Sequence, residues 1–257
     1  MYCLFGAYTI IFSYICVDKN YKSHSYTMKK SDLLFILLVA VLFLPFVFIP
    51  ELYAWYKGFN ASHAYIMAFF KFAILATMGE VLGLRIKTGS YSEPGFGVLP
   101  RAVIWGLLGI WIAIAMKIFA IGAPVVVEYL GVDGAVAAMQ GAFSWQKLIG
   151  AFAISLTLNT AFAPVFMTIH KVTDTHIINN GGKLSAVWTP IPFGSLLAGI
   201  NWQVQWGFVF KKTVPFFWLP AHTITFLLPA ELQVLFAALL GIALGVLLAI
   251  AAVKGRK

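Results

Sequence analysis

The chain has 257 residues, 61% of them hydrophobic and only 11% charged, where a soluble domain carries about a quarter. Mean hydropathy is +0.89, and the net charge of +9 comes from 18 Lys and Arg against 9 Asp and Glu. This leaves no room for a separate soluble domain. It also makes nucleic acid an unneeded partner, because membrane proteins gather Lys and Arg in cytoplasmic loops.

Residues 1–28 form an N-terminal extension. "YCLFGAYTIIFSYICV" is apolar but shorter than a bilayer span of roughly 20 residues. Polar "DKNYKSHSYT" follows, and then "MKKSDLLFILL". Met28, two lysines and an apolar run read as a second start, so Met28 is the expected first residue. A short membrane-associated helix is the alternative. No small-residue cleavage site follows Met28. Cys3 and Cys16 have neither a zinc spacing nor a disulfide framework.

Residues 29–257 are expected to form a single transmembrane domain with about six apolar segments. They run near 33–56, 62–84, 101–123, 146–169, 213–228 and 232–253. Trp55 and Tyr56 are interface anchors of the first. The fifth is short and broken by prolines. The fold expected is all-α, a polytopic transmembrane bundle with proline kinks. The segment 171–212 reads as the longest loop, with "NNGG" as a turn. Trp188, Trp202 and Trp206 within it suit a membrane surface.

Six crossings from a cytoplasmic N-terminus put nearly all of the 18 Lys and Arg inside, together with the C-terminus. Only Lys57 and Lys147 fall outside, while Lys71 and Lys117 lie within spans. Both intramembrane lysines are expected to snorkel to the outer surface. A re-entrant fifth segment would leave five crossings and a weaker asymmetry. The membrane expected is the bacterial cytoplasmic one, and a homo-oligomer is possible.

Small residues repeat four apart at Ala237, Gly241, Gly245 and Ala249, and at Gly79 and Gly83. Gly106, Gly109 and Ala113 form a similar stripe. Such faces let helices approach closely in lipid, where no hydrophobic force drives them together. Packing accounts for them; pore lining is the alternative.

An ionisable group in a span costs about 2.5–3.5 kcal/mol at the bilayer centre and so marks function by default. Glu80 lies near the end of the second segment, and Arg101 opens the third. A pair across the short loop would hold two helices or gate a passage. In the fourth segment, "LNTAFAPVFMTIH" contains Pro164, which cannot donate to the Thr160 carbonyl and is expected to kink the helix. Ser155, Asn159 and His170 fall on one stripe at 3.6 residues per turn. That stripe either bonds a neighbouring helix or faces a hydrated pathway. "HKVTDTH" places His170, Asp174 and His176 together but is no established ligand motif. No P-loop, HExxH or GxSxG occurs, so neither metal, cofactor nor enzymatic activity is expected.

In order along the chain stand Gly79-Glu80, then Arg101, then "NTAFAP", then "FFWLPAHTITFLLP". Over about 70–250 this order resembles the family of the twenty-two-kilodalton peroxisomal membrane protein and its mitochondrial inner-membrane relatives. Gly79-Glu80 matches the family's Gly-Asp, and Asn159, Thr160, Phe162, Ala163 and Pro164 match its Asp-Gln-x-x-Phe-Ala-Pro. Trp218, Pro220, Thr225, Phe226 and Pro229 approximate its Trp-Pro and Asn-Phe-x-x-x-Pro region. The chain departs at Asn159, Thr160, Thr225 and Gln233, has an extra first helix and lacks the family's C-terminal ending, as a distant bacterial member would. The resemblance implies a weakly selective pore for an unknown small solute, passing near Glu80, Arg101, Asn159 and His170. The alternative is a structural protein that binds lipid or partners without transport.

Overall fold

The computed structural model describes residues 29–254, with side chains through Leu247. The extension 1–28, Met28 included, lies outside the described residues. Every regular element described is helical. Among the described residues, five helices are long and apolar enough to cross a membrane, the architecture of an integral membrane protein.

The expected first segment, 33–56, is two helices: α1 (Lys30–Phe48) and α2 (Pro50–Ser62). Pro50 disfavours helical backbone at the residue before it. Ile49 accordingly sits extended at φ −118° and ψ 93°, and Pro50 opens the next helix. α3 (Ala64–Thr88) is the second long span. It stops at Gly89, whose φ of +79° favours glycine. α4 (Val98–Tyr129) is the third. A short turn, α5 (Ala135–Ala138), leads to α6 (Trp145–Thr157), capped by the Ser144 hydroxyl accepting from the Lys147 amide at 3.1 Å.

α6 continues through a wider π turn (Leu158–Phe162) into α7 (Ala163–Asn179). Pro164 stands in the first turn of α7, so its missing N–H falls where the π turn hands over. The Ala163 amide bonds the Leu158 carbonyl, five residues back. Because α7 reaches Asn179, the expected loop from 171 is helical at its start. After a 3₁₀ turn (Leu184–Val187) come α8 (Phe193–Ala198) and α9 (Trp202–Val204). A second π segment (Gln205–Trp218) then runs into α10 (Leu219–Leu227), followed by α11 (Ala230–Lys254). The expected fifth segment therefore belongs to a continuous helical run from Trp202 to Leu227, which is not among the five long apolar spans.

α3 lies at the centre, packed along α4 and α11, while α6 packs on α4 and α10. The core joins Phe72 and Leu75 of α3, Met116 of α4, Ile154 of α6, Phe226 of α10 and Ala238 of α11. The glycine stripes divide on contact. A Cβ at Gly79 would stand 2.9 Å from the Ile242 Cα, so Gly79 is where α3 and α11 touch. Gly245 meets the Gly79 carbonyl from the other side, and Gly83 is buried. Gly106 and Gly109 accommodate the rings of Phe69 and Phe72. Gly241 corrects the sequence reading: nothing lies within 4 Å of a Cβ there. A four-residue repeat drifts around a helix of 3.6 residues per turn, so not every member meets the same neighbour.

Lys71 also differs from expectation. It is buried rather than snorkelling, with Nζ donating to Asn60 Oδ1 at 2.5 Å and lying 5.3 Å from the Tyr56 ring centre. The bend at His63, between α2 and α3, makes this possible, because it brings Asn60 and Tyr56 of α2 beside Lys71. Lys117 is exposed.

Candidate functional site

The Glu80 carboxylate gathers three donors from two helices. Arg101 Nη1 stands 2.5 Å from Oε2, Trp105 Nε1 donates to Oε1 at 3.0 Å, and His170 Nε2 lies 3.2 Å from Oε1. An ionised carboxylate only accepts, so the His170 Nε2 carries a proton. Arg101 also pairs with Asp174 and donates through Nε to the Phe96 carbonyl at 2.6 Å. Arg101 is 5% exposed. Three helices, α3, α4 and α7, thus meet in one charged cluster.

Helical spacing explains the set. Arg101 and Trp105 are one turn apart on α4, and His170 and Asp174 one turn apart on α7, so each pair shares a face. Away from the cluster, Phe166 of α7 and Phe162 at the end of the π turn continue the His170 face at four-residue intervals. They pack against Trp111 and Trp105 of α4, with ring centres 4.9 Å apart for Trp111–Phe162 and 4.4 Å for Trp105–His170.

Two glycines set the loop geometry. Gly97, at the start of α4, has φ +70°, and Gly182, after the end of α7, has φ +68°. A Cβ on Gly97 would fall 2.7 Å from the Gly182 Cα, and one on Gly182 would fall 2.7 Å from the Gly97 nitrogen. This backbone contact brings the first turn of α4 beside α7 and puts Arg101 within reach of Asp174. The "NNGG" turn signal marked the second half of it.

The middle of the bundle holds a second polar group. Asn159 and Ser155 are 1% and 0% exposed. Asn159 Nδ2 donates to the Ser155 carbonyl at 2.9 Å and contacts His222 Nδ1 of α10 at 3.0 Å. The amide nitrogen can only donate, so His222 Nδ1 is the acceptor. Ser155 Oγ donates to the Leu219 carbonyl at 2.7 Å. Among the described residues, Asn159 Oδ1 and Trp218 Nε1 are buried without a hydrogen-bond partner, and the Trp218 ring lies 5.1 Å from that of His222.

Asn159 and His170 do not share a neighbour, contrary to the single stripe expected. The π turn between them inserts about one extra residue into the winding, which turns the following face by about 100°. Asn159 therefore faces α10, and His170 faces α3 and α4.

Several participants were missed from sequence. His222 was legible as an ionisable group within an apolar segment. Trp105 was legible only through its spacing from Arg101. Asp174, which with His170 and His176 forms no established ligand motif, pairs with Arg101, while His176 Nε2 lies 3.1 Å from the Ala186 carbonyl. Of the residues carrying the resemblance, Phe226 is 1% exposed in the core, Ala163 is buried, and Pro220 and Pro229 are exposed. A void of about 10 Å³ lies between Arg101, Trp105, His170 and Asp174, at the lower limit for one water molecule.

No protein-family model, curated protein or solved structure matches the chain.

Proposed function

We propose that this membrane protein affects small-solute permeability as a pore held closed by the Glu80–Arg101–Asp174–His170 cluster. The observation that carries the reading is the cost of that cluster. Ionisable groups in membrane helices are expensive and mark pathways or relays when they face one another. Charged rings and constrictions are also the parts from which pores set selectivity and gating. The unpartnered Asn159 Oδ1 and Trp218 Nε1 add support, since buried polar atoms without partners call for a solute or water. The pathway proposed runs from the cluster towards Asn159 and His222, along α6 and α7.

The resemblance to the peroxisomal and mitochondrial membrane protein family accords with this reading, and we propose distant membership. We further propose six crossings with Pro164 as a flex point, both termini cytoplasmic in a bacterial inner membrane, and a homo-oligomeric assembly. The asymmetry of Lys and Arg supports that orientation.

Purified protein in planar bilayers tests the proposal. Discrete conductance altered by Glu80→Gln and by Asn159→Leu supports it. Absence of conductance from the native chain, reconstituted in both orientations and across an applied voltage range, refutes it. A second reading, lipid or partner binding without transport, is favoured by an open apolar groove beside α1.

A further inference from the structure

Among the described residues, Arg85, Arg101 and Lys71 are buried cations. Arg85 is paired with Asp32, and Arg101 with Glu80 and Asp174, each carboxylate coming from another helix. Lys71 lies in the apolar span α3, is 7% exposed, and forms no ion pair with a described carboxylate. A charge buried without an opposite charge is costly in a medium of low dielectric constant. The other two buried cations meet that cost with carboxylates of this chain, and Lys71 does not.

The surroundings of Lys71 offer donors rather than a counter-charge. An ammonium carries three donors, and one goes to Asn60 Oδ1 at 2.5 Å. Tyr56 stands one turn before Asn60 on the same face of α2, with its ring centre 5.3 Å from Lys71 Nζ. The Tyr56 hydroxyl is buried and has no hydrogen-bond partner among the described residues, a state that calls for an acceptor. Spare N–H and O–H donors thus belong to two neighbouring side chains, and one acceptor between them satisfies both.

The chemistry of that acceptor follows from the same contacts. A neutral acceptor would complete the hydrogen bonds but leave the ammonium uncompensated, so the acceptor is an anion. One ammonium balances one charge, because Lys57 of α2 is exposed and lies over the Tyr53 ring instead, 4.9 Å from its centre. The direct Lys71–Asn60 bond holds α2 close to α3 and leaves room only for a small ion. Ser62 and His63, at the bend beside Asn60, are polar and exposed, which gives an ion a route from the aqueous side.

We propose that Lys71 Nζ and Tyr56 Oη bind a small monovalent anion, of the size of chloride, between α2 and α3. The site does not depend on the pore reading. Lys71 and Glu80 are nine positions apart on α3, which turns them about 180° from one another, so the anion and the charged cluster lie on opposite faces of that helix.

Chlorine NMR of the full chain in an uncharged detergent tests the proposal, with chloride as the probe. The native protein is expected to broaden the chloride line in excess of the detergent alone, and bromide is expected to reverse this. Sulfate at equal ionic strength is expected to leave it in place. Lys71→Met is expected to abolish the broadening. Tyr56→Phe, which removes only the hydroxyl, is expected to weaken chloride binding by about fivefold. Lys57→Gln is expected to change nothing. Absence of excess broadening in the native protein would overturn the proposal, as would full broadening in Lys71→Met or native affinity in Tyr56→Phe. So would displacement by sulfate as readily as by bromide, or an equal loss in Lys57→Gln. Tyr56→Phe keeps the ring and breaks no hydrogen bond, so it remains informative if Lys71→Met misfolds.

Discussion

Arg101 and Glu80 stand 2.5 Å apart across the loop that joins α3 to α4, and Arg101 reaches Asp174 of α7 from the same guanidinium. One cation thus bridges two carboxylates on two other helices. Removing one partner of a buried pair costs about 3–5 kcal/mol, because the other charge is left without compensation. Arg101→Gln is expected to destabilise the protein by that amount, since both carboxylates lose their cation. Glu80→Gln should cost less, because Asp174 still pairs with Arg101. Thermal unfolding in detergent checks the order, and a double-mutant cycle on Glu80 and Arg101 should show coupling of more than about 1 kcal/mol. Independent, additive effects would contradict the bridge.

The backbone contact of Gly97 with Gly182 should tolerate no side chain. Both have positive φ, and each would place a Cβ within 3 Å of the other's backbone. Gly182→Ala is expected to cost about 1–3 kcal/mol and to loosen the Arg101–Asp174 pair. Hydrogen exchange at the start of α4 should rise in that variant. Unchanged protection there would show that the loop contact does not position the cluster.

Gly79 and Gly241 both belong to the glycine repeats, yet they should respond in opposite ways. Gly79→Ala puts a methyl against the Ile242 backbone and is expected to destabilise by about 1–3 kcal/mol. Gly241→Ala enters open space and should be neutral or gain up to about 1 kcal/mol from helix propensity. Comparing the two midpoints in one detergent is sufficient.

The buried ammonium of Lys71 depends on Asn60. Asn60→Leu removes its hydrogen-bond acceptor and is expected to cost about 1–3 kcal/mol. Lys71→Met in that background should restore most of the loss, because no unpaired charge remains. Failure of the second substitution to rescue the first would mean that Asn60 acts elsewhere.

Asn159→Leu removes the contact with His222 and the bond to the Ser155 carbonyl. It also removes the unpartnered Oδ1, which offsets part of the loss. A modest change in stability, below about 1.5 kcal/mol, with altered conductance would separate a pathway role from a packing role. Lost stability without altered conductance would assign Asn159 to packing.

The apolar runs of about membrane length were readable because hydropathy and span length are local properties. The Glu80–Arg101 pair was readable for a related reason: a short connection forces the end of one helix beside the start of the next. The division of 33–56 was not readable in the same way: the segment holds Pro45 and Pro50, yet α1 runs through Pro45 and the chain breaks only before Pro50. The full length of α7 was hidden by the polar residues of "HKVTDTH", which read as loop. Two of them are polar because α7 supplies Asp174 to Arg101 of α4 and His170 to Glu80 of α3.

What the sequence determined by itself was an all-helical membrane chain, most of its long spans and the residues too costly to leave alone in lipid. What only the tertiary structure decided was the partnership of those residues. Asn159 and His170 lie eleven positions apart on what the 3.6-residue period makes one face. A single π turn between them changes the winding, so one side chain meets His222 and the other meets Glu80. Such a turn depends on how neighbouring helices pack, and periodicity carries no record of it. Asp174, likewise, acquires its role only when Gly97 and Gly182 bring two distant chain segments into contact. The energy of that arrangement lies between helices, while composition and spacing describe each helix alone.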